Sequence, residues 1–154
     1  MAESECFTCG NNARIGSLPP REEIEVRGVW RTAHAFNTSL PGWLVVVPTR
    51  HVTALDELEP AEAAQLGEAL RRASKALRVA VGCEKAYFVF FAEAEGFSHL
   101  HVHVIPRMSW FTADHRGPGV FAFLGNSARG EWLPDDELDR IALTVRRELE
   151  ADPH

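Results

Sequence analysis

Ser98-His99-Leu100-His101-Val102-His103-Val104-Ile105-Pro106-Arg107 sets three histidines at alternate positions among aliphatic residues. An extended chain turns successive side chains to opposite faces. The spacing therefore predicts a strand with His99, His101 and His103 on one face and Leu100, Val102 and Val104 on the other. Neighbours on a face stand about 7 Å apart. The aliphatic face is expected to pack into the core under a helix, and the imidazoles to line an open face. Imidazole titrates near neutrality, binds metals and acts as a nucleophile, so chemistry is expected on that face. The alternative is a solvated polar face. Seven histidines in the whole chain would rarely concentrate so regularly.

The flanking sequence supplies the rest of a fold. Tyr87 to Ala92 is aromatic and β-prone, Ile24 to Arg31 alternates loosely as a strand would, and Trp43-Leu44-Val45-Val46-Val47 reads as a buried strand between Pro41-Gly42 and Pro48. From Pro60, Leu66, Leu70, Ala73, Leu77 and Val81 recur at helical spacing, and Gly82 follows as a stop. A last helix is expected over about 135–150, with Leu138, Ile141, Ala142, Val145 and Leu149 on one face. Asn11 to Pro20 reads as a loop, and 108–132, rich in glycine and aromatics, as a long ordered loop or arm. Clustered strands with one central and one terminal helix predict an α+β fold with an antiparallel sheet, in a single domain over 1–154.

At 154 residues the chain fits one domain. Sixteen basic against twenty-two acidic residues give a net charge of −6, which argues against general nucleic-acid binding and against an anionic membrane surface. A small anionic ligand needs only local donors and is compatible with that charge. No apolar run approaches the ~20 residues of a membrane span, and the acidic start lacks a signal-peptide pattern, so a cytoplasmic location is expected.

Three cysteines occur, and Cys6-Phe7-Thr8-Cys9 brings two of them together. Two thiolates at this spacing form half of a tetrahedral zinc site. With Cys83 standing alone after the glycine at a helix end, as a small buried hydrophobe, the remaining ligands would be histidines, from His34, His51, His99, His115 or His154. A redox pair or two unrelated thiols are the alternatives. The βαβ context of a redox motif is not evident.

The segment from His99 to Arg107 resembles the signature of the histidine triad superfamily. So does the upstream order of Pro41-Gly42, an apolar strand, Pro48-Thr49-Arg50-His51-Val52, Asp56-Glu57-Leu58 and a long helix; the resemblance covers Cys6 to Arg107. It implies a compact α+β fold, usually doubled in a homodimer, and hydrolysis or transfer of nucleoside monophosphate units at the α-phosphate. It implies His101 as nucleophile and His103 as a contact to phosphate oxygens. A zinc-bearing branch, also seen in galactose-1-phosphate uridylyltransferase, implies one structural zinc on Cys6, Cys9, His51 and His99, tethering segment 1–20 to the catalytic strand. No open position would then be left on the ion.

The chain departs from the family at two places. Gly42-Trp43 stands where many members have Gly-His, removing a helper histidine expected near the first triad histidine. Ala94-Glu95-Gly96 stands where Gly-Gln-Ser/Thr is common, so Glu95 would set a negative charge beside the substrate phosphates. Asn37 is expected at the pocket edge against ribose or base, or simply in a turn; Ser98 near the leaving group; Arg107 at phosphate or as a strand-end charge. Trp110 and His115 would cover the site or pack. The leading reading is a nucleotide hydrolase or nucleotidyltransferase. The alternatives are a non-catalytic nucleotide-binding or interaction protein, and a metalloenzyme using the His-x-His pair.

Overall fold

The computed structural model describes residues 5–125 and 128–152. A short helix α1 (Phe7–Asn12) is followed by strands β1 (Glu25–Arg27), β2 (Trp30–His34) and β3 (Leu44–Pro48), helix α2 (Pro60–Val81), strands β4 (Lys85–Val89) and β5 (Val102–Arg107), and helix α3 (Asp135–Ala151). The five strands form one antiparallel sheet in the order β1-β2-β3-β5-β4. This is the expected α+β class.

Each element follows from local chemistry. Pro60 begins α2, where its missing N–H would be unpaired anyway, and Glu59 and Glu62 cap it reciprocally. Gly82 ends it in a left-handed conformation, φ +69°, its N–H bonded to Arg78 O. In α3 the expected stripe of Leu138, Ile141, Ala142, Val145 and Leu149 is buried throughout, with three acids in the first turn to complement the helix dipole.

Both helices cover one face of the sheet. Leu66, Ala73 and Leu77 of α2 and Ile141, Val145 and Leu149 of α3 pack on Leu44, Val46, Leu100, Val102 and Val104. The arm covers part of the opposite face. It winds through 3-10 turns over Ala113–His115 and Gly117–Phe123 and sets Phe111, Val120 and Phe123 against Trp43 and Ile105. β3 is thus covered by the helices on one face and only partly by the arm, at Val45, on the other.

Three expectations need correction. Ile24 to Arg31 is a hairpin rather than one strand: Arg27 pairs with Trp30, and Gly28 takes φ +58° in the two-residue turn between them. Part of the expected loop from Asn11 is helical, because α1 continues to Asn12. β5 starts only at Val102, so His99 and His101 precede the regular strand. The backbone leaves the ladder there because Leu100 N–H bonds Val52 O (2.7 Å) while the His99 ring turns toward the cysteines. Alternation survives, but the open histidine face does not: His99 is fully buried and His103 nearly so.

Candidate active site and metal centre

The metal cluster is assembled from three places. Cys6 caps α1, its sulfur accepting from Cys9 N–H (3.3 Å). His51 follows the proline that ends β3, and His99 precedes β5. His99 Nε2–H donates to Pro48 O (2.9 Å), so its Nδ1 presents a lone pair. That nitrogen lies 3.5 Å from Cys6 Sγ, 3.5 Å from Cys9 Sγ and 3.2 Å from His51 Nδ1, and Cys9 Sγ lies 3.2 Å from His51 Nδ1. The four ligand atoms all fall within 4.8 Å of one another. A tetrahedral ion bonded to two sulfurs and two nitrogens at zinc distances would set edges of roughly 3.3–3.8 Å. The site can hold a metal ion. Of the other candidate histidines, His34 and His115 lie elsewhere and His154 falls outside the described residues.

Beside this cluster a cavity of about 260 Å³ opens on the sheet face left uncovered by the arm. His101, His103, His34 and Asn37 line it, with Val45 and Val47 on its floor and Phe7, Phe36 and Phe97 among its walls. The three phenylalanine rings form a triangle with centroids 5.3–6.0 Å apart.

The imidazoles at the cavity are held in defined tautomers. His101 Nδ1 lies 2.8 Å from the carbonyl oxygen of His99, so Nδ1 carries the proton and Nε2 keeps its lone pair. His103 is the reverse: its Nδ1 accepts from Trp43 Nε1–H at 3.0 Å, so Nε2 carries the proton. Burial pushes His103 down to about 4, with the nearby His101 adding to the effect. His34 is likewise pushed down to about 4 by burial. Its Nδ1–H donates to Ala35 O and its Nε2 accepts from Gly42 N–H, which ties β2 to the Pro41-Gly42 turn. At neutral pH His34 and His103 are uncharged.

Several expected residues fall elsewhere. Glu95 is exposed and off the cavity wall. Ala92 takes φ +53°, and the chain beyond this bend turns Glu93 and Ala94 to the wall instead. Ser98 is half-buried and also off the wall. Arg107 sits six residues beyond His101, roughly 20 Å along an extended chain, and pairs with Glu84 at 2.8 Å. Its charge is spent on β4–β5 and reaches no ligand in the cavity. Trp43 stands beside the last triad histidine, not the first. His115 packs on Phe111, Trp110 and Phe123 in the arm. Among the described residues His101 and His103 form no metal-holding group with a carboxylate. Sequence reasoning missed Glu22 and Arg31, which also line the cavity; neither lies in a motif.

The family model for the HIT domain matches residues 31–109, just over half of the chain. The chain belongs to the HIT family. Cys6 and Cys9 lie outside the matched span, while His51 and His99 lie inside it. Among curated proteins none matches the chain in sequence. The HIT chain is similar in structure to a hypothetical histidine triad nucleotide-binding protein from Sulfolobus tokodaii, with a TM-score of 0.71 at 17% identity over 95% of this chain and 93% of that one. A Zn-bound histidine triad family protein from Mycobacterium smegmatis gives 0.67 at 17% identity, over 97% and 99%. A uridylyltransferase gives 0.66 at 22% identity over 95% of the HIT chain, which spans 45% of that larger chain. At these identities the likeness is one of fold. Among the described residues no helix of the HIT chain is long and apolar enough to cross a membrane.

Proposed function

We propose that this HIT protein is a nucleotide hydrolase or nucleotidyltransferase acting at the α-phosphate of a nucleotide conjugate, a dinucleoside polyphosphate, a phosphoramidate or a similar compound. The observation that carries this reading is the bond from His101 Nδ1–H to the His99 carbonyl, which leaves Nε2 as an unprotonated nitrogen in a residue lining the cavity. Nε2 attacks the α-phosphorus; an N–P bond forms as the bond to the leaving group breaks, and the leaving group keeps the electron pair and takes a proton from solvent water. Water or an acceptor hydroxyl then attacks the phosphorus, loses its proton, and the N–P pair returns to His101. His103 Nε2–H donates to a phosphate oxygen as charge builds. Asn37 bonds the ribose at the cavity rim. Splitting the displacement through a covalent intermediate replaces one difficult step by two easier ones.

The four ligands Cys6, Cys9, His51 and His99 fit one structural zinc, whose complete S2N2 shell supplies cross-linking of α1 to the catalytic segment rather than Lewis-acid chemistry. Reduced thiols fit a cytoplasmic location. The protein is also proposed to be a homodimer, because β4 is a sheet edge with Phe88 and Phe90 each 42% exposed beside it.

The deciding experiment incubates the protein with dinucleoside polyphosphates, nucleoside phosphoramidates and nucleotide sugars, then measures turnover and intact mass. A nucleoside monophosphate adduct mapping to His101 is expected. Tight nucleotide binding with neither turnover nor adduct would instead establish a non-catalytic binding protein.

A further inference from the structure

The cavity extends away from His101 across the sheet. Its floor follows the strand register: Val45 pairs with His103 on one side and Ala33 on the other, and Val47 pairs with Arg31. The last β3–β5 pair is Val46 with Val102, and His101 lies one position beyond the ladder, at the level of Val47. Two interstrand steps therefore separate Arg31 from His101, roughly 10 Å, the length of an extended nucleoside monophosphate. At that far end Glu22 lines the cavity beside Arg31. Its side chain is only 14% exposed. Oε2 accepts from Asn11 Nδ2 at 3.0 Å and lies 3.9 Å from the Arg31 guanidinium. Oε1 has no hydrogen bond among the described residues.

We propose that Glu22 reads the base of the nucleotide, and that the base it selects is guanine. This rests on the nucleotide reading above and adds to it the identity of the base. With the α-phosphorus at His101, a base lying over Val45 and Val47 directs its outer edge at Glu22. A carboxylate accepts and cannot donate. Guanine presents two adjacent donors, N1–H and the 2-amino group, which a carboxylate takes together. Adenine and cytosine place a lone-pair nitrogen beside their amino group, and uracil flanks its single N–H with two carbonyl oxygens. Each of those three brings a lone pair against the Glu22 charge. Phe36 and Phe97 line the same cavity and limit the water that could compensate a mismatch. Asn11, Arg31 and α1 hold the carboxylate in place, so its direction is preset before the ligand arrives.

The test is calorimetric titration of the full chain, wild type and Glu22→Gln, with GMP, IMP, AMP, UMP and CMP. GMP is expected to bind at least about tenfold more tightly than AMP, UMP and CMP, as one charge-assisted hydrogen bond allows. IMP, which lacks the 2-amino group, should fall between them. Glu22→Gln should bring GMP and AMP to within about threefold. The wild-type series decides even if the variant fails to fold: equal binding of all five nucleotides, or of IMP and GMP, overturns the role of Glu22 and leaves the nucleotide reading standing. A guanine preference that persists in a folded Glu22→Gln protein overturns it also. Failure of every nucleotide to bind overturns both.

Discussion

His99 serves His101 through its main chain and the metal cluster through its ring: the carbonyl oxygen lies 2.8 Å from His101 Nδ1, while its own Nδ1 lies 3.5 Å from both cysteine sulfurs. Any displacement of the His99 ring therefore moves the group that orients the proposed nucleophile. The candidate metal cluster and the proposed chemistry share one residue.

Removing a ligand should consequently lower both stability and rate. Cys9→Ala is expected to lose the ion and to melt well below the wild type, since binding free energy at such a site is folding free energy. Elemental analysis and thermal denaturation check this; an unchanged melting temperature with no metal in either protein would disprove the zinc assignment.

His101→Ala should behave oppositely. The ring is half-buried and hydrogen-bonds to the adjoining backbone, so the variant should fold normally and lose more than about 10³-fold in kcat. Retention of near-wild-type turnover on a confirmed substrate would reassign the nucleophile.

Trp43→Phe keeps most of the ring and deletes the N–H given to His103. Leaving that buried nitrogen without a donor costs about 1–3 kcal/mol, hence a fall of roughly 5- to 150-fold in kcat if His103 donates to the transition state. Nitrogen NMR of His103 should show the Nε2–H tautomer in the wild type and a mixture in the variant. An unchanged tautomer would show that Trp43 only packs.

Acid should destabilise the fold through His34 and His103. Both ionise near 4 when folded and near 6.5 when unfolded, so below pH 6.5 the unfolded chain binds more protons. Their neutral burial carries no penalty above pH 6.5; stability is lost as pH falls from 6.5 toward 4, by up to roughly 3 kcal/mol per group. His34→Gln, which can still accept from Gly42 N–H, should flatten this acid limb in urea titrations between pH 4 and 7.

Arg107→Ala should leave kcat/KM within about twofold, as surface pairs contribute little and this one lies away from the cavity. A tenfold loss would return Arg107 to the phosphate.

Much of this arrangement was legible in the chain. Periodicity placed α2 and α3, because an amphipathic stripe is a local pattern and Pro60, Gly82 and the acids near Asp135 mark its ends. The four residues of the cluster that can hold a metal could be named because a cysteine pair needs completion and the resemblance supplied the partners. Glu95 was misplaced because side-chain direction in an irregular segment depends on a single bend at Ala92 that no periodicity encodes. Glu22 was invisible for a different reason. A glutamate in a charged run reads as solvated, and only tertiary packing against Asn11 and Arg31 makes it a buried carboxylate in a cavity. The same holds for Arg72, which α2 buries against Glu25 and Leu149 O.

β3 carries the floor of the cavity, and it has a neighbouring strand on each edge and the helical layer packed on its other face. Its amides can exchange with solvent deuterium only when the whole domain opens, so their protection should report the global free energy of unfolding. α1 has six residues and persists only through what it docks against. A ligand reaching His101 thus passes the flanks at Phe7 and Phe97 above a floor fixed at Val45 and Val47.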